Sequence, residues 1–337
     1  MTRAPQWWDS LVRQLLSRET VIVLAVFAVI VATTLDTPGF VFSSDGWREL
    51  LISPAVLLLV AVGQAIVVIT RNIDLSVGSI VGFSAYFAGR IMSDIPEIPI
   101  VLVVLLCVVV GAALGLVNAF LVAIVGLPAL VITLGTLYAY RGILILWAGG
   151  TRIFPADLPP EFLALGTAQV LGIPLLTIAA LVVLIAAGWY MKNTRGGRES
   201  YAIGSNPKAA ELHGLKSRRR VLVALVTSGA LSGLAGALYL ARYATADSQA
   251  AKGWELQAVA AVVIGGVAIF GGSGRVWGAA FGAILLVTIN RALPILGVPD
   301  LWQQATVGAL ILIAIVSDQL LHHHRLPRIA RKVEPSG

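Results

Sequence analysis

The chain has 337 residues, of which 58% are hydrophobic and only 12% are charged, with a formal net charge of +7. A soluble domain carries about twice that share of charged residues, and the mean hydropathy of +0.90 excludes an ordinary soluble globular protein. Apolar runs of about twenty residues, the length that crosses a bilayer as a helix, recur along the chain. The composition therefore predicts an all-α, polytopic membrane protein.

About ten membrane-spanning helices are predicted, and an even number places both termini on the same side of the membrane. The first apolar run is interpreted as a retained span, because no small-residue cleavage site follows it. The third and eighth spans are short for membrane spans. In chain order, the predicted spans are 20–36, 51–70, 75–92, 98–122, 126–147, 168–191, 220–243, 256–270, 275–296 and 300–317.

The Lys and Arg residues support this topology, because cytoplasmic loops carry an excess of positive charge. Seventeen of them fall on the side that holds both termini, and four fall on the other side: Arg48, Arg152, Arg242 and Lys252. We therefore expect a cytoplasmic N-terminal segment (1–19), one transmembrane domain (20–317) and a cytoplasmic basic tail (318–337). The basic residues flank spans without interleaved aromatic residues, so nucleic acid is not expected as a partner.

The stretch TRNIDLSVG (70–78) interrupts two apolar runs with charged and polar residues. Asp74 followed by Ser76 is typical of a helix start, because a carboxylate is stabilised at the positive end of a helix. Arg71 is available to pair with Asp74. Two interpretations stay open: a capped turn at the cytoplasmic end of two spans, or a broken helix beside a transport path if the third span begins deeper in the membrane.

Several spans contain pairs of glycines four residues apart, which predict close packing between helices, since lipid gives little hydrophobic force between them. Three arginines fall inside spans or at their ends, where snorkelling and function are both open interpretations. The glycine pairs are Gly78/Gly82, Gly111/Gly115, Gly229/Gly233 and Gly278/Gly282, and the arginines are Arg90, Arg141 and Arg291.

The long inner loop 192–219 is strongly basic and contains the sequence SNPKAAELHG. An Asn N-cap, a Pro at the first helical position and a Gly at C′ predict a short helix with both ends specified. Three apolar side chains give this helix a small apolar surface, so we expect the helix to dock onto a soluble partner. The residues concerned are Asn206, Pro207, Ala209, Ala210, Leu212 and Gly214.

Common catalytic and nucleotide-binding motifs are absent from the sequence. No G-x-x-x-x-G-K-[ST] loop occurs, and the glycine-rich stretch at 265–275 lacks the Lys. The single cysteine, Cys107, cannot form an intramolecular disulfide, and the histidines at 322–324 lie in a basic tail where a metal site is not expected. We therefore expect neither an enzyme nor a cofactor or metal site.

Five long segments run in order through most of the chain: GQAIVVITRNIDLSVGSIVG (63–82), PALVITLGTLYAYRGILILWAGG (128–150), GRESYAIGSNPKAAELHGL (197–215), SGALSGLAGALYLAR (228–242) and AVAAVVIGGVAIFGGSGRVWGAAFGA (258–283). They resemble the membrane subunits of ribose-type monosaccharide ABC importers. Within that family, TRNIDLSVGS and LGTLYAYRGILILWAGG are most similar to the permeases of rhamnose and autoinducer-2 (Lsr-type) importers. Asn72 is typical of one of these two groups, whereas many ribose-type members have Gly at this position.

The resemblance implies a permease in a bacterial cell (inner or plasma) membrane that moves its ligand by alternating access, without chemistry on the ligand. It also implies three protein partners: a cytoplasmic ATP-binding subunit, an extracytoplasmic sugar-binding protein and a second permease chain, homologous or identical. The family's ATPase-coupling helix corresponds to Asn206–Gly214. Candidate residues of the substrate path are Gln64, Asn72, Asp74, Ser76, Thr133 and Thr136, although hydrogen bonding between helices explains Gln64 and the two threonines equally well.

Two alternatives of other classes stay open. An ion-coupled secondary transporter would need a membrane-embedded carboxylate at a broken helix, and Asp74 is the sole acidic candidate well away from a loop. A membrane scaffold would transport nothing. Dependence of uptake on ATP and a binding protein, rather than on an ion gradient, separates these alternatives from an ABC importer.

Overall fold

The computed structural model describes residues 18–299, 302, 304–310 and 312. A π-helical turn, Phe120–Ile124, continues α5, and two short strands, β1 (Gln169–Val170) and β2 (Ile173–Pro174), pair antiparallel. The α-helices are α1 (Arg18–Asp36), α2 (Gly39–Phe42), α3 (Gly46–Ile69), α4 (Val77–Asp94), α5 (Ile100–Ala119), α6 (Ala129–Ala148), α7 (Pro160–Thr167), α8 (Leu175–Asn193), α9 (Arg195–Ser205), α10 (Pro207–Leu212), α11 (Ser217–Tyr243), α12 (Trp254–Ile264) and α13 (Val276–Ile295).

Seven helices of the described chain are long and apolar enough to cross a membrane, judged by length and composition. They are α1, α3, α5 with its π-helical turn, α6, α8, α11 and α13. The prediction of a helical, polytopic membrane protein is thereby confirmed. The predicted tenth span, 300–317, lies partly outside the described residues, which are helical at 302, 304–310 and 312.

Two predicted spans differ most from the helices of the structure, by six or seven residues at one end. The helix predicted from 168 begins at Leu175 as α8, because a two-stranded hairpin precedes it and turns at Leu171 and Gly172, with φ of 51° and 80°. The prediction that the eighth span reaches residue 270 is wrong. Its helix, α12, ends at Ile264 after 11 residues, about 16 Å of rise, because left-handed glycines begin at Gly266 (φ 79°).

Helices α3 and α11 form the centre of the bundle. Nearly all of α3 from Pro54 to Ile69 is buried, as expected for a helix that is apolar on all sides. α11 packs against α3, α4 and α5. The outer helices α1, α5, α6 and α8 expose large apolar side chains, among them Phe27, Val109, Leu146 and Val182.

Three of the four glycine pairs lie at close helix contacts, as predicted, whereas Gly78 and Gly82 face the segment at 250–251 between α11 and α12. A Cβ added at Gly111 of α5 would fall against the carbonyl oxygen of Gly229 of α11, and a Cβ at Gly229 would fall against that of Gly111. In α13, Gly278 approaches Gly265 in the same way. Small residues therefore let the helix backbones touch, which supplies packing energy in lipid.

Candidate functional site

Helix α3 ends in a left-handed turn at the start of the interruption 70–76. The Arg71 N–H donates to the Val68 carbonyl at 2.8 Å, and the Asn72 N–H donates to the Val67 carbonyl at 3.3 Å, which is the hydrogen-bond pattern of a Schellman motif. Arg71 has a φ of 66°, a conformation that costs an L-residue other than Gly about 1 kcal/mol. The chain is thus turned sharply while the last carbonyls of α3 stay hydrogen-bonded.

Asp74 is fully buried beyond this turn, at 0% exposure. Its Oδ1 accepts hydrogen bonds from the N–H of Ser76 at 3.0 Å and from the Ser76 hydroxyl at 2.6 Å. Its Oδ2 accepts from the Ser228 hydroxyl of α11 at 3.0 Å. A buried carboxylate needs such donors, since losing water without replacing it is costly. Asp74 therefore joins the start of α4 to the middle of α11.

The hydrogen-bonded network continues into α5 and α6. The Asn118 side-chain amide donates to the Ser76 hydroxyl at 2.8 Å, and the Thr136 hydroxyl donates to the Asn118 side-chain carbonyl at 2.7 Å. The Thr133 hydroxyl lies 3.1 Å from the backbone carbonyl of Ile73 and 2.9 Å from the carbonyl of Ala129 one turn earlier, and it shares its proton between them. Groups from α5, α6, α11 and the interruption thus meet in one place, which we call the Asp74 network: Asp74, Ser76, Asn118, Thr133, Thr136 and Ser228.

Four of the six predicted path residues belong to this network, and two do not. Asn72 donates instead to the Thr70 carbonyl at 2.9 Å, on the same turn. Gln64 is buried in α3, and its amide has no hydrogen-bond partner among the described residues. The structure therefore assembles a polar cluster, while contact of its members with a transported ligand stays a prediction.

Sequence reasoning missed two members of the network, Asn118 and Ser228. Asn118 is the one amide side chain in the apolar run of α5, and that isolation was an available signal. Ser228 carries no such signal, because small polar residues recur along α11 and the sequence does not show which of them face Asp74. Both are 0% exposed.

The suggested pairing of Arg71 with Asp74 is wrong. Arg71 is exposed, and its backbone lies against Gly271, whereas the carboxylate of Asp74 is bonded to serines inside the bundle. The left-handed turn explains the separation, since it reverses the chain between the two residues. Two residues of the interruption, Asp74 and Ser76, lie inside the protein at 0% exposure.

Arg141 of α6 is held by backbone carbonyls, so it does not snorkel. Its guanidinium donates to the carbonyls of Ser248 at 3.0 Å, Ala250 at 2.7 Å and Gly78 at 3.2 Å. Arg141 thereby fastens the segment between α11 and α12 to the first turn of α4. Arg291 is also fixed, since it donates at 3.1 Å to a carbonyl at the start of α3.

The predicted short helix forms as α10. The Asn206 side-chain oxygen accepts from the Ala209 N–H at 3.1 Å, and Gly214 closes the end with a φ of 75°. The small apolar surface predicted from Ala209, Ala210 and Leu212 is divided, because Ala210 is buried while Leu212 is 89% exposed. Residues two apart on a helix point about 200° apart, so Ala210 packs inward and Leu212 faces outward.

Helix α9 links α10 to the end of α3. Gly204, in the last turn of α9, approaches the Ile69 carbonyl so closely that a Cβ would clash with it. The same carbonyl accepts a hydrogen bond from the Gly272 N–H at 3.0 Å, and the Tyr201 hydroxyl donates to the Gly274 carbonyl at 3.0 Å. A movement of α9 would therefore reach the residue that immediately precedes the interruption.

Helix α9 is also fastened to the start of α11 by charge. Glu199 accepts hydrogen bonds from Arg195 and from Arg220 of α11, each at 2.7 Å. These two hydrogen bonds hold the pKa of Glu199 below its ordinary value of 4.5. The loop between α8 and α11 is thus tied to the start of α11 through Glu199.

The apolar helices indicate a polytopic membrane protein. A buried polar cluster at an interrupted helix is typical of membrane proteins of the transport class. Residues 48–315 match the family described as "Branched-chain amino acid transport system / permease component". The match covers most of the chain, and the chain belongs to this family.

Curated relatives match over nearly the whole chain. It is 34% identical over 319 residues to the autoinducer 2 import system permease protein LsrC of Enterobacter sp. (strain 638), covering 92% of this chain and 89% of the relative. It is 34% identical over 306 residues to the ribose import permease protein RbsC of Haemophilus influenzae, covering 90% and 94%. LsrC of Escherichia coli (strain K12 / DH10B) is 34% identical over 300 residues, covering 88% and 86%. No solved structure matches the chain.

The family assignment confirms the resemblance to importer permeases drawn from the sequence motifs. It also confirms that the chain is a transport subunit and not an enzyme. Together with the seven apolar helices, it confirms a multi-pass protein of the bacterial inner membrane.

Proposed function

We propose that this chain is the membrane-spanning subunit of an ATP-binding-cassette importer that takes up a neutral monosaccharide or an autoinducer-2-like ligand. The observation that carries the proposal is the 34% identity to import permeases of these two ligand types, over about nine-tenths of the chain. Rhamnose belongs to the same class of ligand and is included in the test below.

The chemistry of the Asp74 network supports a neutral, hydroxyl-bearing ligand over an amino acid. A zwitterionic ligand needs a cationic partner for its carboxylate, and no Lys or Arg side chain of the described residues joins this network. The network consists instead of hydroxyls, one amide and a carboxylate whose oxygens already accept hydrogen bonds. Hydroxyl and amide groups both donate and accept, as sugar hydroxyls do.

The proposed topology has ten spans with both termini cytoplasmic, and the way the helix ends meet in the bundle supports its assignment of the two faces. The end of α3, helix α9 and the loop at 271–274 meet at one end. At another place Arg152 pairs with Asp247 at 2.8 Å, next to a backbone bridge between Ile153 and Ala246. In the proposed topology the first group is cytoplasmic and the second is extracytoplasmic, with segments 1–19 and 318–337 in the cytoplasm.

The proposed partners are assigned to the cytoplasmic and extracytoplasmic faces of the bundle. A cytoplasmic ATP-binding subunit docks on α10, within the loop 192–219, where the exposed Leu212 offers an apolar contact. An extracytoplasmic sugar-binding protein docks on the opposite face, and a second permease chain, identical or homologous, completes the membrane core. ATP-driven movement of α10 and α9 reaches the Ile69 carbonyl and shifts the interruption against α11, which would open the path to alternate sides.

The test of this function is uptake by the purified chain, reconstituted in proteoliposomes with a candidate ATP-binding subunit, a binding protein and, where needed, a second permease. Labelled ribose, rhamnose and autoinducer-2 are offered in turn, with and without ATP. We expect ATP- and binding-protein-dependent uptake of one of them. Uptake driven by a proton or sodium gradient alone would support a secondary transporter, and no uptake with any partner set would support a scaffold.

The docking assignment is tested by Leu212→Asp, which places a charge where the proposed apolar contact lies. We expect loss of permease-stimulated ATPase activity with unchanged membrane insertion and thermal stability, because the side chain is 89% exposed. Leu171→Asp is the matched control, since Leu171 is 98% exposed in the hairpin that precedes α8. Normal ATPase stimulation by the Leu212 variant would contradict docking through α10.

A further inference from the structure

A cavity of about 500 Å³ lies where α8, α9 and α13 meet, at the end of the bundle that holds the loop at 271–274. Three exposed cationic side chains line it: Lys192 from the last turn of α8, Arg198 from α9 and Arg275 immediately before α13. The other walls are formed mainly by glycines and apolar side chains, among them Gly188, Met191, Val276 and Trp277. One cavity thus combines concentrated positive charge with apolar walls.

The positive charge of this cavity is neutralised only in part. The Arg275 guanidinium donates to both carboxylate oxygens of Glu19 at 3.2 Å. Neither Lys192 nor Arg198 pairs with a carboxylate among the described residues, and Arg198 donates to the Asn193 carbonyl at 3.1 Å. Helix α13 also begins here without a side-chain cap from any described residue, so the positive end of its dipole adds to the field. Three cations against one carboxylate suit the cavity to an anion.

An exposed apolar stripe of α8 leads into the cavity. Gly188 and Lys192 lie four residues apart on one face of the helix. The same face carries Ile185 and Leu181, three and seven residues before Gly188, and these side chains are 55% and 40% exposed. From Gly188 to Leu181 the stripe extends over about 10 Å of helix rise. An acyl chain can therefore lie along α8 while its head group occupies the cavity.

Trp277 indicates that this end of α13 lies at the level of the lipid head groups. Tryptophan is enriched there because its ring is apolar while its N–H is polar. The Trp277 indole lies against Gly188, where an added Cβ would be 2.7 Å from the indole Nε1. Trp277 is 39% exposed, and its Nε1–H has no acceptor among the described residues. In the topology proposed above this level is the cytoplasmic leaflet, whose anionic lipids attract basic groups.

We propose that this cavity binds one anionic phospholipid, such as phosphatidylglycerol or cardiolipin. The phosphodiester lies between Lys192, Arg198 and Arg275, and one acyl chain lies along α8. A zwitterionic phospholipid carries its own ammonium group, which these cations repel. A free phosphate would leave the apolar stripe uncovered. The bound lipid ties α9 to α8 and α13, and this role does not depend on which ligand the permease carries.

The first test is native mass spectrometry of the purified full chain in neutral detergent, titrated with phosphatidylglycerol or with phosphatidylethanolamine of the same acyl chains. We expect one phosphatidylglycerol per chain, bound about tenfold or more tightly than phosphatidylethanolamine. Lys192→Gln and Arg198→Gln should each weaken this binding about fivefold, the contribution of one basic residue near an anionic lipid surface. Arg275 is kept, because it also holds Glu19.

Arg219→Gln is the matched control, because Arg219 is an exposed arginine in the first turn of α11 and does not line this cavity. Its binding of phosphatidylglycerol should equal that of the unchanged chain. The substituted side chains are all exposed, so membrane insertion and the Tm without added lipid should not change. Equal binding of the two phospholipids, or an equal loss in Arg219→Gln, would overturn the proposal, since the charge would then act as a diffuse surface.

Two further arms distinguish the lipid from other occupants. Glycerol 3-phosphate and inorganic phosphate carry the anion without acyl chains; binding as tight as that of phosphatidylglycerol would indicate a site for free phosphate and overturn the lipid assignment. The titration is then repeated with a candidate ATP-binding subunit bound to the chain. Phosphatidylglycerol should stay bound with the same affinity, and its displacement would show that a protein partner covers the cavity. These measurements need no transport activity, so failure of the import function would leave their result unaffected.

Discussion

Replacement of Asp74 tests whether its network stabilises the bundle. Asp74→Ala removes the acceptor for the Ser76 N–H, the Ser76 hydroxyl and the Ser228 hydroxyl. The two hydroxyls can rotate toward carbonyls of their own chain segments, but the N–H is fixed by the backbone. Asp74→Asn keeps one carbonyl oxygen and the side-chain volume, so it preserves part of the network.

The magnitudes follow from these partners. A buried donor left without an acceptor costs about 1–3 kcal/mol, and Asp74→Ala removes the acceptor of one N–H and two hydroxyls. Because removal of the carboxylate also relieves its own desolvation, we expect a loss in the free energy of unfolding of about 3 kcal/mol for Asp74→Ala. About 1–2 kcal/mol is expected for Asp74→Asn, which loses one set of hydrogen bonds.

The assay is reversible denaturation of the purified chain in mixed micelles, followed by tryptophan fluorescence, with Ser228→Ala as the second arm of a double-mutant cycle. A hydrogen bond to a charged group contributes about 1.5–3 kcal/mol, so a coupling energy of that size between Asp74 and Ser228 is expected. A zero coupling energy, or an Asp74→Ala variant more stable than the unchanged chain, would refute the reasoning. The second result would mean that the buried carboxylate is a net cost to folding.

Three further predictions concern packing, the segment after α11 and the loop before it. Gly229→Ala should lower the free energy of unfolding by about 1–3 kcal/mol, because the added methyl group meets the backbone of α5. Gly135 has open space around it, so Gly135→Ala should be neutral or stabilising in the same denaturation assay. Arg141→Met should release the segment at 248–250 from α4 and increase its hydrogen exchange, while exchange in α8 should not change. The folded pKa of Glu199 is below 4.5, so its stabilising contribution is present above pH 4.5 and is lost as the pH falls through the folded pKa. Glu199→Gln should therefore flatten the dependence of unfolding free energy on pH in this acid range. An unchanged pH dependence would contradict the two arginine contacts.

Properties that depend on composition or on a few neighbouring residues were readable from the sequence. The apolar runs indicated a helical membrane protein, because the length of a span is set by the bilayer itself. The caps of α10 were readable for a similar reason. An Asn that bonds to the N–H three residues later, and a glycine that takes the left-handed conformation, act within one helical turn. Motifs of linear sequence also sufficed for the resemblance to importer permeases.

Only the tertiary structure decided which polar groups meet. Asp74 and Ser228 are 154 residues apart, and their contact depends on how α11 is rotated about its axis against α3 and α4. The sequence placed Arg71 within reach of Asp74, but a left-handed turn separates them, and no local pattern distinguishes the two outcomes for a non-glycine residue. The unpaired Gln64 is a further example. Its polarity is visible in the sequence, whereas the absence of a hydrogen-bond partner among the described residues follows from the packing of several helices.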